Sequence, residues 1–243
     1  MQRPLRIYFV GAHSTGKTTL ARWVRDTYGL PMISEVARGV LAEMEEQLDS
    51  MRSRLEIVDR YQAEVFERQI SAEAAHVGSF VSDRAFCNLA YAAQHARVLN
   101  KLATDPRLAA YMESVKDGLV FFLRPHRELL CEDGVRAGVA WEEVLRIDGM
   151  VKLMLELFGI PYIPVDCLPM QERVRLLERV FSLAGLEPDS KDELVPAPRA
   201  TIRRVDGPQS PSAGIVPGVS GHPRVGNGKA AGNGSGVRPE PVR

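Results

Sequence analysis

A glycine-rich loop near the start of the chain carries the clearest chemical signal. Residues 11–18 read GAHSTGKT and match the phosphate-binding pattern G-x-x-x-x-G-K-[ST] at every required position. In that pattern backbone N–H groups converge on a phosphate, the lysine reaches the β- and γ-phosphates, and the final hydroxyl ligates Mg²⁺. We therefore expect the chain to bind ATP and Mg²⁺, with Lys17 catalytic, Thr18 a metal ligand and the nucleotide held by Gly11, Ala12, His13, Ser14, Thr15, Gly16, Lys17, Thr18 and Thr19.

An Asp-Arg pair follows the third short apolar run of the chain. Asp83 and Arg84 come directly after residues 79–82, which we interpret as a strand. Small-molecule kinases place such a pair there, so we expect Asp83 to hold Mg²⁺, directly or through water, and Arg84 to bind a phosphate or position the acceptor. A surface salt bridge is the simpler alternative. A GTPase is disfavoured because the only Asn-Lys pair continues Leu-Ala rather than forming N-K-x-D.

Two further groups of residues are candidates for the acceptor side. Glu35 follows a short strand, where a carboxylate can take the proton of an attacking hydroxyl. Arg38 lies one turn further on and can bind an anionic substrate; alternatively, Glu35 only complements the N-terminus of its own helix. After the fourth strand, a charged segment predicts a lid whose arginines stabilise transition-state charge, unless it is an ordinary solvated loop. These arginines are Arg124, Arg127 and Arg136, with Arg136 the first choice.

Strand and helix patterns alternate five times along the chain, which predicts the elements that position these residues. Apolar runs of strand length occupy residues 5–10, 31–34, 79–82, 118–123 and 160–165. Helical periodicity is expected over 18–28, 35–47, 55–75, 86–100, 106–115, 141–158 and 170–184. The first run, LRIYFV, is apolar throughout, as in strands buried on both faces. The pattern predicts a three-layer α/β P-loop NTPase fold, a five-stranded parallel sheet with helices on both faces.

Composition divides the chain into two regions. All sixteen aromatic residues lie between Tyr8 and Phe181, and residues 187–243 contain nine glycines and nine prolines. We therefore expect one kinase-like ATP-binding domain, residues 1–186, and a disordered tail, residues 187–243. With 31 basic and 31 acidic residues the net charge is zero, which disfavours a nucleic-acid binder. No run approaches the ~20 apolar residues of a membrane helix, and the simplest location is the cytoplasm.

The motifs GxxSTGKTTL, SEVAR (residues 34–38), a strand ending in Asp-Arg, and DGVR (residues 133–136) resemble the AAA-type small P-loop kinase family. That family includes the nicotinamide-riboside kinase domain of the bacterial NAD-biosynthesis regulator, and the layout is also similar to deoxynucleoside and thymidylate kinases. The resemblance covers residues 5–184. It implies ATP and Mg²⁺ as donor and a nucleoside, ribosyl-pyridine or nucleotide as acceptor. By analogy with deoxynucleoside kinases, it also implies that Glu35 is the base and Arg84 the acceptor-side cation.

Three functions follow from these residues. The leading hypothesis is a small-molecule kinase that transfers the γ-phosphate of ATP to a nucleoside-like or nucleotide acceptor. A second is an NTP-dependent switch or binding ATPase that acts on a protein partner through its tail. A third is a kinase acting on modified nucleic acid, which the slightly acidic composition of the first 186 residues disfavours because nucleic-acid phosphates require basic surface.

Overall fold

The computed structural model describes residues 4–34, 39–40, 55–130 and 140–189. The chain divides into two units, Met1–Arg203 and Arg204–Arg243, and every described residue belongs to the first. A short 3₁₀ helix covers Arg127–Leu129. The described strands and longer helices are, in chain order, β1 Arg6–Val10, α1 Lys17–Tyr28, β2 Met32–Ile33, α2 Leu55–Ala74, β3 Phe80–Ser82, α3 Cys87–His95, α4 Leu99–Ala103, α5 Pro106–Lys116, β4 Leu119–Leu123, α6 Trp141–Leu157, β5 Ile163–Val165 and α7 Met170–Leu183.

The five strands form one parallel sheet in the order β2-β3-β1-β4-β5. Strand β1 is central: Tyr8 is paired with Ser82 of β3 on one side and with Val120 of β4 on the other. The chain leaves β1 toward β2 and β3 and later returns to add β4 and β5 on the opposite side. In open parallel sheets the carboxyl edge at such a reversal is where ligands bind. The sheet therefore presents the loop after β1 at a ligand-binding position.

Helices cover both faces of the sheet, as the sequence predicts. Because side chains alternate along a strand, Tyr8 and Val10 point to one face and Ile7 and Phe9 to the other. The first face is covered by α2, α3, α5 and α6. The second is covered by α1 and α7, whose apolar residues include Leu20 and Leu177. All four of the β1 residues are fully buried, which explains why the strand is apolar throughout rather than alternating.

The predicted helix over residues 86–100 is wrong as a single element, because the structure divides it into α3 and α4. Ala96 has extended backbone angles and ends α3. The backbone N–H of Arg97 donates to Asp59 Oδ1 of α2 at 2.7 Å, and its guanidinium contacts Asp59 and Glu56. This tertiary hydrogen bond takes the place of a helical one, so helical periodicity alone does not report the break.

The fifth strand is shorter than predicted, because Gly159 and Ile160 belong to the end of α6. Gly159 has a φ of 59° and its N–H donates to Glu156 O at 3.1 Å. The N–H of Ile160 donates to Leu155 O at 2.9 Å, and its side chain is buried. This pair of bonds is the Schellman ending of a helix, which uses the apolar residue after the glycine as a cap. Strand β5 consequently begins only at Ile163.

The predicted helix over residues 35–47 and almost all of the predicted tail lie outside the described residues. The described chain extends three residues beyond the predicted domain boundary, to Asp189. There the backbone N–H of Asp189 donates to Thr27 O near the end of α1, at 3.0 Å. Within the described ranges, no helix is both long enough and apolar enough to cross a membrane.

Candidate active site

The glycine-rich loop joins β1 to α1, where the sequence places it, and its glycines are required by space and backbone angle. Gly11 has a φ of 141°, and a Cβ built there would lie 2.4 Å from Leu123 O of β4. Gly16 has a φ of 91° and precedes the first turn of α1. Ser14 also adopts a positive φ, 57°. Side chains at both glycine positions would therefore displace the loop from the neighbouring strand or strain its backbone.

The N-terminus of α1 has no side-chain cap, and its first turn holds no acidic residue. No carboxylate of the turn itself therefore competes for its N–H groups, which suits an anionic ligand. Thr15 is fully buried, and its hydroxyl donates to Ala12 O at 2.9 Å, bracing the loop from inside. The Lys17 ammonium donates to Ala12 O and lies 3.4 Å from Thr15 Oγ1. Thr19, the last predicted nucleotide contact, is exposed.

Thr18 and Asp83, the two predicted metal ligands, are in direct contact. The Thr18 hydroxyl donates to Asp83 Oδ2 at 2.6 Å, joining the start of α1 to the end of β3. Asp83 is only 4% exposed, and its other oxygen, Oδ1, is buried with no hydrogen-bond partner in the described ranges. A buried carboxylate oxygen without a donor is costly unless a ligand occupies it. A hydroxyl and a carboxylate side by side also suit Mg²⁺, which takes oxygen ligands and keeps several waters.

Arg84 follows Asp83 at the carboxyl edge of the sheet and is half-buried. Within the described ranges its guanidinium has no hydrogen-bond or salt-bridge partner, so the surface salt bridge considered as an alternative does not form with any described residue. Ala85, next along the chain, is fully buried with a φ of 52°, which an alanine rarely adopts. This turn directs the chain from β3 into α3 and leaves the Asp83-Arg84 pair at the strand end.

The electrostatics of a buried thiol connect the loop with the Asp-Arg pair. Cys87 lies in the first turn of α3 and is 1% exposed. Burial raises the pKa of its thiol, while the positive charges of Lys17 and Arg84 act in the opposite direction. Both cations are therefore close enough to the Cys87 sulfur to act on it, against the opposing negative charge of Asp83.

His13 brings the loop into contact with α3. Its Nδ1 is 3.1 Å from the hydroxyl oxygen of Tyr91, and the two rings are 6.1 Å apart. His13 occupies a variable position of the phosphate-binding pattern, so its side chain is available for contacts outside the loop. The contact places an aromatic hydroxyl of α3 beside the glycine-rich loop.

The predicted lid arginines occupy different environments. The Arg124 backbone N–H donates to Val165 O at 3.1 Å, and its guanidinium forms a 3.0 Å ion pair with Asp148 of α6. The guanidinium also lies over the Phe122 ring, 5.2 Å from its centre. Burial raises the pKa of Asp148, and Arg124 opposes that shift. Arg127 is exposed in the short 3₁₀ helix.

Three predicted site residues, Glu35, Arg38 and Arg136, lie outside the described residues. Their roles as base, acceptor-binding residue and lid residue stay predictions. Among the described residues no group of three or more His, Cys, Asp or Glu side chains could hold a metal ion. Among the described residues, the Thr18 and Asp83 pair is the candidate for holding a metal at this edge.

One residue beside the loop was not predicted from the sequence. Arg173, in the first turn of α7, is fully buried and its Nη1 donates to Thr15 O at 2.6 Å. Its only sequence signal is an arginine one turn into an amphipathic helix, a position that is usually solvated. No local pattern distinguishes it from the exposed Arg175 two residues later.

The family model for an AAA domain matches residues 6–173 of this chain. This is more than half of the sequence and includes the glycine-rich loop, the Asp-Arg pair and the whole sheet. The chain therefore belongs to this AAA-domain family, and the expected resemblance to small P-loop kinases is confirmed. No curated protein sequence matches the chain.

Solved structures of kinase-like proteins share the fold. A NadR protein in complex with NR aligns with a TM-score of 0.60 at 18% identity, over 79% of this chain and 54% of that one. A NadR protein with NAD and AMP-PNP aligns with a TM-score of 0.55 at 17% identity, over 79% and 52%. Deoxyadenosine kinase from M. mycoides with bound dCTP aligns with a TM-score of 0.57 at 13% identity, over 74% and 100%. The chain thus spans about half the length of the NadR proteins.

Proposed function

We propose that this protein is an ATP-dependent kinase that transfers the γ-phosphate of ATP to a nucleoside-like or nucleotide acceptor. The observation that carries the proposal is the contact between Thr18 and Asp83 at the carboxyl edge of the sheet, beside a complete phosphate-binding loop. The neighbours with the same fold include a NadR protein bound to AMP-PNP and a deoxyadenosine kinase. The ligands and names of both neighbours support a proposal with ATP as the donor and a nucleoside-like molecule as the acceptor.

Each site residue within the described ranges has a distinct role in this proposal. The loop and the uncapped N-terminus of α1 bind the polyphosphate, and Lys17 moves from the Ala12 carbonyl to the β- and γ-phosphates. Thr18 and Asp83 would hold Mg²⁺, which when bound neutralises developing charge on the phosphates. Arg84 binds the acceptor or its phosphate, because its guanidinium has no salt-bridge partner in the described part of the chain.

The predicted roles of the residues beyond the described ranges complete the proposal. Glu35 would accept the proton of an acceptor hydroxyl and Arg38 would bind an acceptor anion. Arg136 would supply a cation from the lid during transfer. A hydroxyl acceptor needs the base, whereas a phosphate acceptor is already anionic and depends more on the cations. The effect of Glu35→Gln therefore distinguishes the two: a 10²–10⁴-fold loss of kcat indicates a base, and a small loss favours a phosphate acceptor.

The test is transfer of labelled γ-phosphate from ATP with Mg²⁺ across nicotinamide riboside, nucleosides, nucleoside monophosphates and oligonucleotides, with a no-acceptor control. We expect one strongly labelled small product, and loss of labelling in Lys17→Ala. Lys101→Ala is the matched control because Lys101 is an exposed lysine on α4, and its labelling should equal that of the wild type. Labelling unchanged by Lys17→Ala contradicts the proposal. Slow phosphate release with no labelled acceptor indicates the switch, and labelled oligonucleotide indicates the nucleic-acid kinase.

A further inference from the structure

A buried guanidinium lies directly behind the phosphate-binding loop. Arg173 is 0% exposed, although arginine is among the residue types least often fully buried. Its Nη1 donates to Thr15 O at 2.6 Å and its Nε donates to Cys167 O at 2.6 Å. The side chain therefore fastens the start of α7 and the segment after β5 to the glycine-rich loop.

The positive charge of Arg173 has no counter-charge in the described part of the chain. Both of its hydrogen-bond partners in that part of the chain are backbone carbonyl oxygens, and its Nη2 is buried with no partner among the described residues. Burial lowers the pKa of the guanidinium, as desolvation of an uncompensated cation must. A buried charge without a partner of opposite charge is strongly unfavourable. An anionic ligand bound at this loop would supply that opposite charge.

The contact with Thr15 also fixes the direction of a peptide group. In a trans peptide unit the C=O and the following N–H point in opposite directions. Because Arg173 holds Thr15 O on the outer side of the loop, the N–H of Gly16 points to the inner side. The Arg173 side chain also lies close to the loop backbone at Gly16, because a Cβ built there would lie 3.2 Å from Arg173 Nη1.

We propose that Arg173 is a positioning residue for the polyphosphate of the bound nucleotide. It holds the Thr15–Gly16 peptide with its N–H directed at the phosphates, and the phosphates in turn supply the counter-charge that the buried guanidinium lacks. The inference rests on the proposed function only in requiring that a nucleotide binds at this loop; the identity of the acceptor does not enter.

The experiment measures binding of inorganic tripolyphosphate and of ADP to the full-length chain by calorimetry, so that phosphate recognition is separated from base recognition. We expect Arg173→Met to weaken the affinity for both ligands by about 10- to 100-fold, because a buried cation near the phosphates is removed. Arg173→Lys keeps the charge but cannot hold both carbonyl oxygens, so a loss of about 3- to 10-fold is expected. Arg175→Met, an equal charge change at an exposed position of α7, is the control and should bind as the wild type does.

The outcomes separate this inference from the proposed function. A wild-type chain that binds neither ligand overturns both. A wild-type chain that binds, with Arg173→Met binding equally well, overturns the inference alone and assigns Arg173 a purely structural role. If Arg173→Met does not fold, as judged by circular dichroism, the Arg173→Lys variant is the test. Wild-type affinity for tripolyphosphate in Arg173→Lys overturns the inference. A loss of affinity greater than that of Arg175→Met supports it.

Discussion

Two ionisable side chains are buried on opposite faces of the same sheet, and they differ in how fully their polar atoms are hydrogen-bonded. Glu73 of α2 lies on the face that carries Tyr8 and is 5% exposed. Its carboxyl oxygens accept hydrogen bonds from the Tyr8 hydroxyl at 3.0 Å, the Tyr111 hydroxyl at 3.0 Å and the Gln69 amide at 2.6 Å. Arg173, on the other face, has backbone carbonyls for partners, and its Nη2 has no partner among the residues that the structure describes.

The difference distinguishes a structural polar group from one that faces a ligand. A buried network whose members satisfy one another is rigid and complete without any further molecule. A buried cation with an unsatisfied nitrogen beside a phosphate-binding loop is completed by an anion. The Glu73 network is nevertheless connected to the active-site edge: the Gln69 amide is also 3.3 Å from Ser82 Oγ, at the residue before Asp83. The network thus supports β3, whereas the other face holds the loop.

The largest expected effect is on the active-site edge itself. Asparagine at position 83 can still accept the hydrogen bond from Thr18 but lacks the negative charge that attracts Mg²⁺. We expect Asp83→Asn to lower kcat for phosphate transfer by about 10²–10³-fold. Its free energy of unfolding in urea should stay within about 1 kcal/mol of the wild type. A variant that loses stability in proportion to activity would show that Asp83 supports the fold rather than the reaction.

The next largest effect is expected in the Glu73 network, and it should fall on stability. Glu73→Ala leaves Tyr8, Tyr111 and Gln69 without their acceptor and opens a cavity, so we expect a loss of about 3 kcal/mol in the free energy of unfolding. Affinity for tripolyphosphate should be unchanged in the folded fraction. Glu67→Ala, on the exposed side of the same helix, is the control and should cost at most about 1 kcal/mol. A large loss of phosphate affinity in Glu73→Ala would contradict the view that the Glu73 network is purely structural.

A smaller effect follows from removing a single donor of the network. Tyr111→Phe keeps the buried ring but deletes the hydroxyl that donates to Glu73 Oε1, which still accepts from Gln69. We expect the free energy of unfolding to fall by about 1 kcal/mol, measured by urea denaturation. A loss as large as that of Glu73→Ala would mean that the network depends on one bond rather than on three.

The last expected effect is a gradual dependence on pH. Burial raises the pKa of Glu73 above its ordinary value of 4.5, because desolvation outweighs its hydrogen bonds. The folded state then keeps a proton that the unfolded state has released. The stability contributed by this carboxyl is therefore complete below about pH 4.5 and declines as the pH rises through the folded-state pKa. Compared with Glu73→Gln, the wild type should lose stability with rising pH in urea denaturation. A difference that is constant, or of opposite sign, contradicts this assignment.

Most of the architecture could be predicted from the sequence because its signals are local. Continuous apolar runs marked the strands, and helical periodicity marked the helices between them. The errors have two causes: in one case a contact between distant residues overrode a local pattern, and in the other a local helix ending was taken for the start of a strand. Asp59 accepts a hydrogen bond from the backbone N–H of Arg97, and one predicted helix is divided into two. The N–H of Ile160 donates to Leu155 O at the end of α6, so Ile160 does not begin β5.

The phosphate-binding loop can be recognised from a short stretch of sequence, since GAHSTGKT encodes its turn, its lysine and its hydroxyl within eight consecutive residues. The sequence also indicated that Asp83 directly follows a strand. The distant groups that meet there are known only from the folded chain: Thr18 contacts Asp83 across 65 positions, and Thr15 contacts Arg173 across 158. Sequence patterns do not report these contacts, because backbone angles and side-chain periodicity follow from neighbours in the chain. Such contacts instead follow from the order of strands β3, β1, β4 and β5, which is set by the packing of both faces.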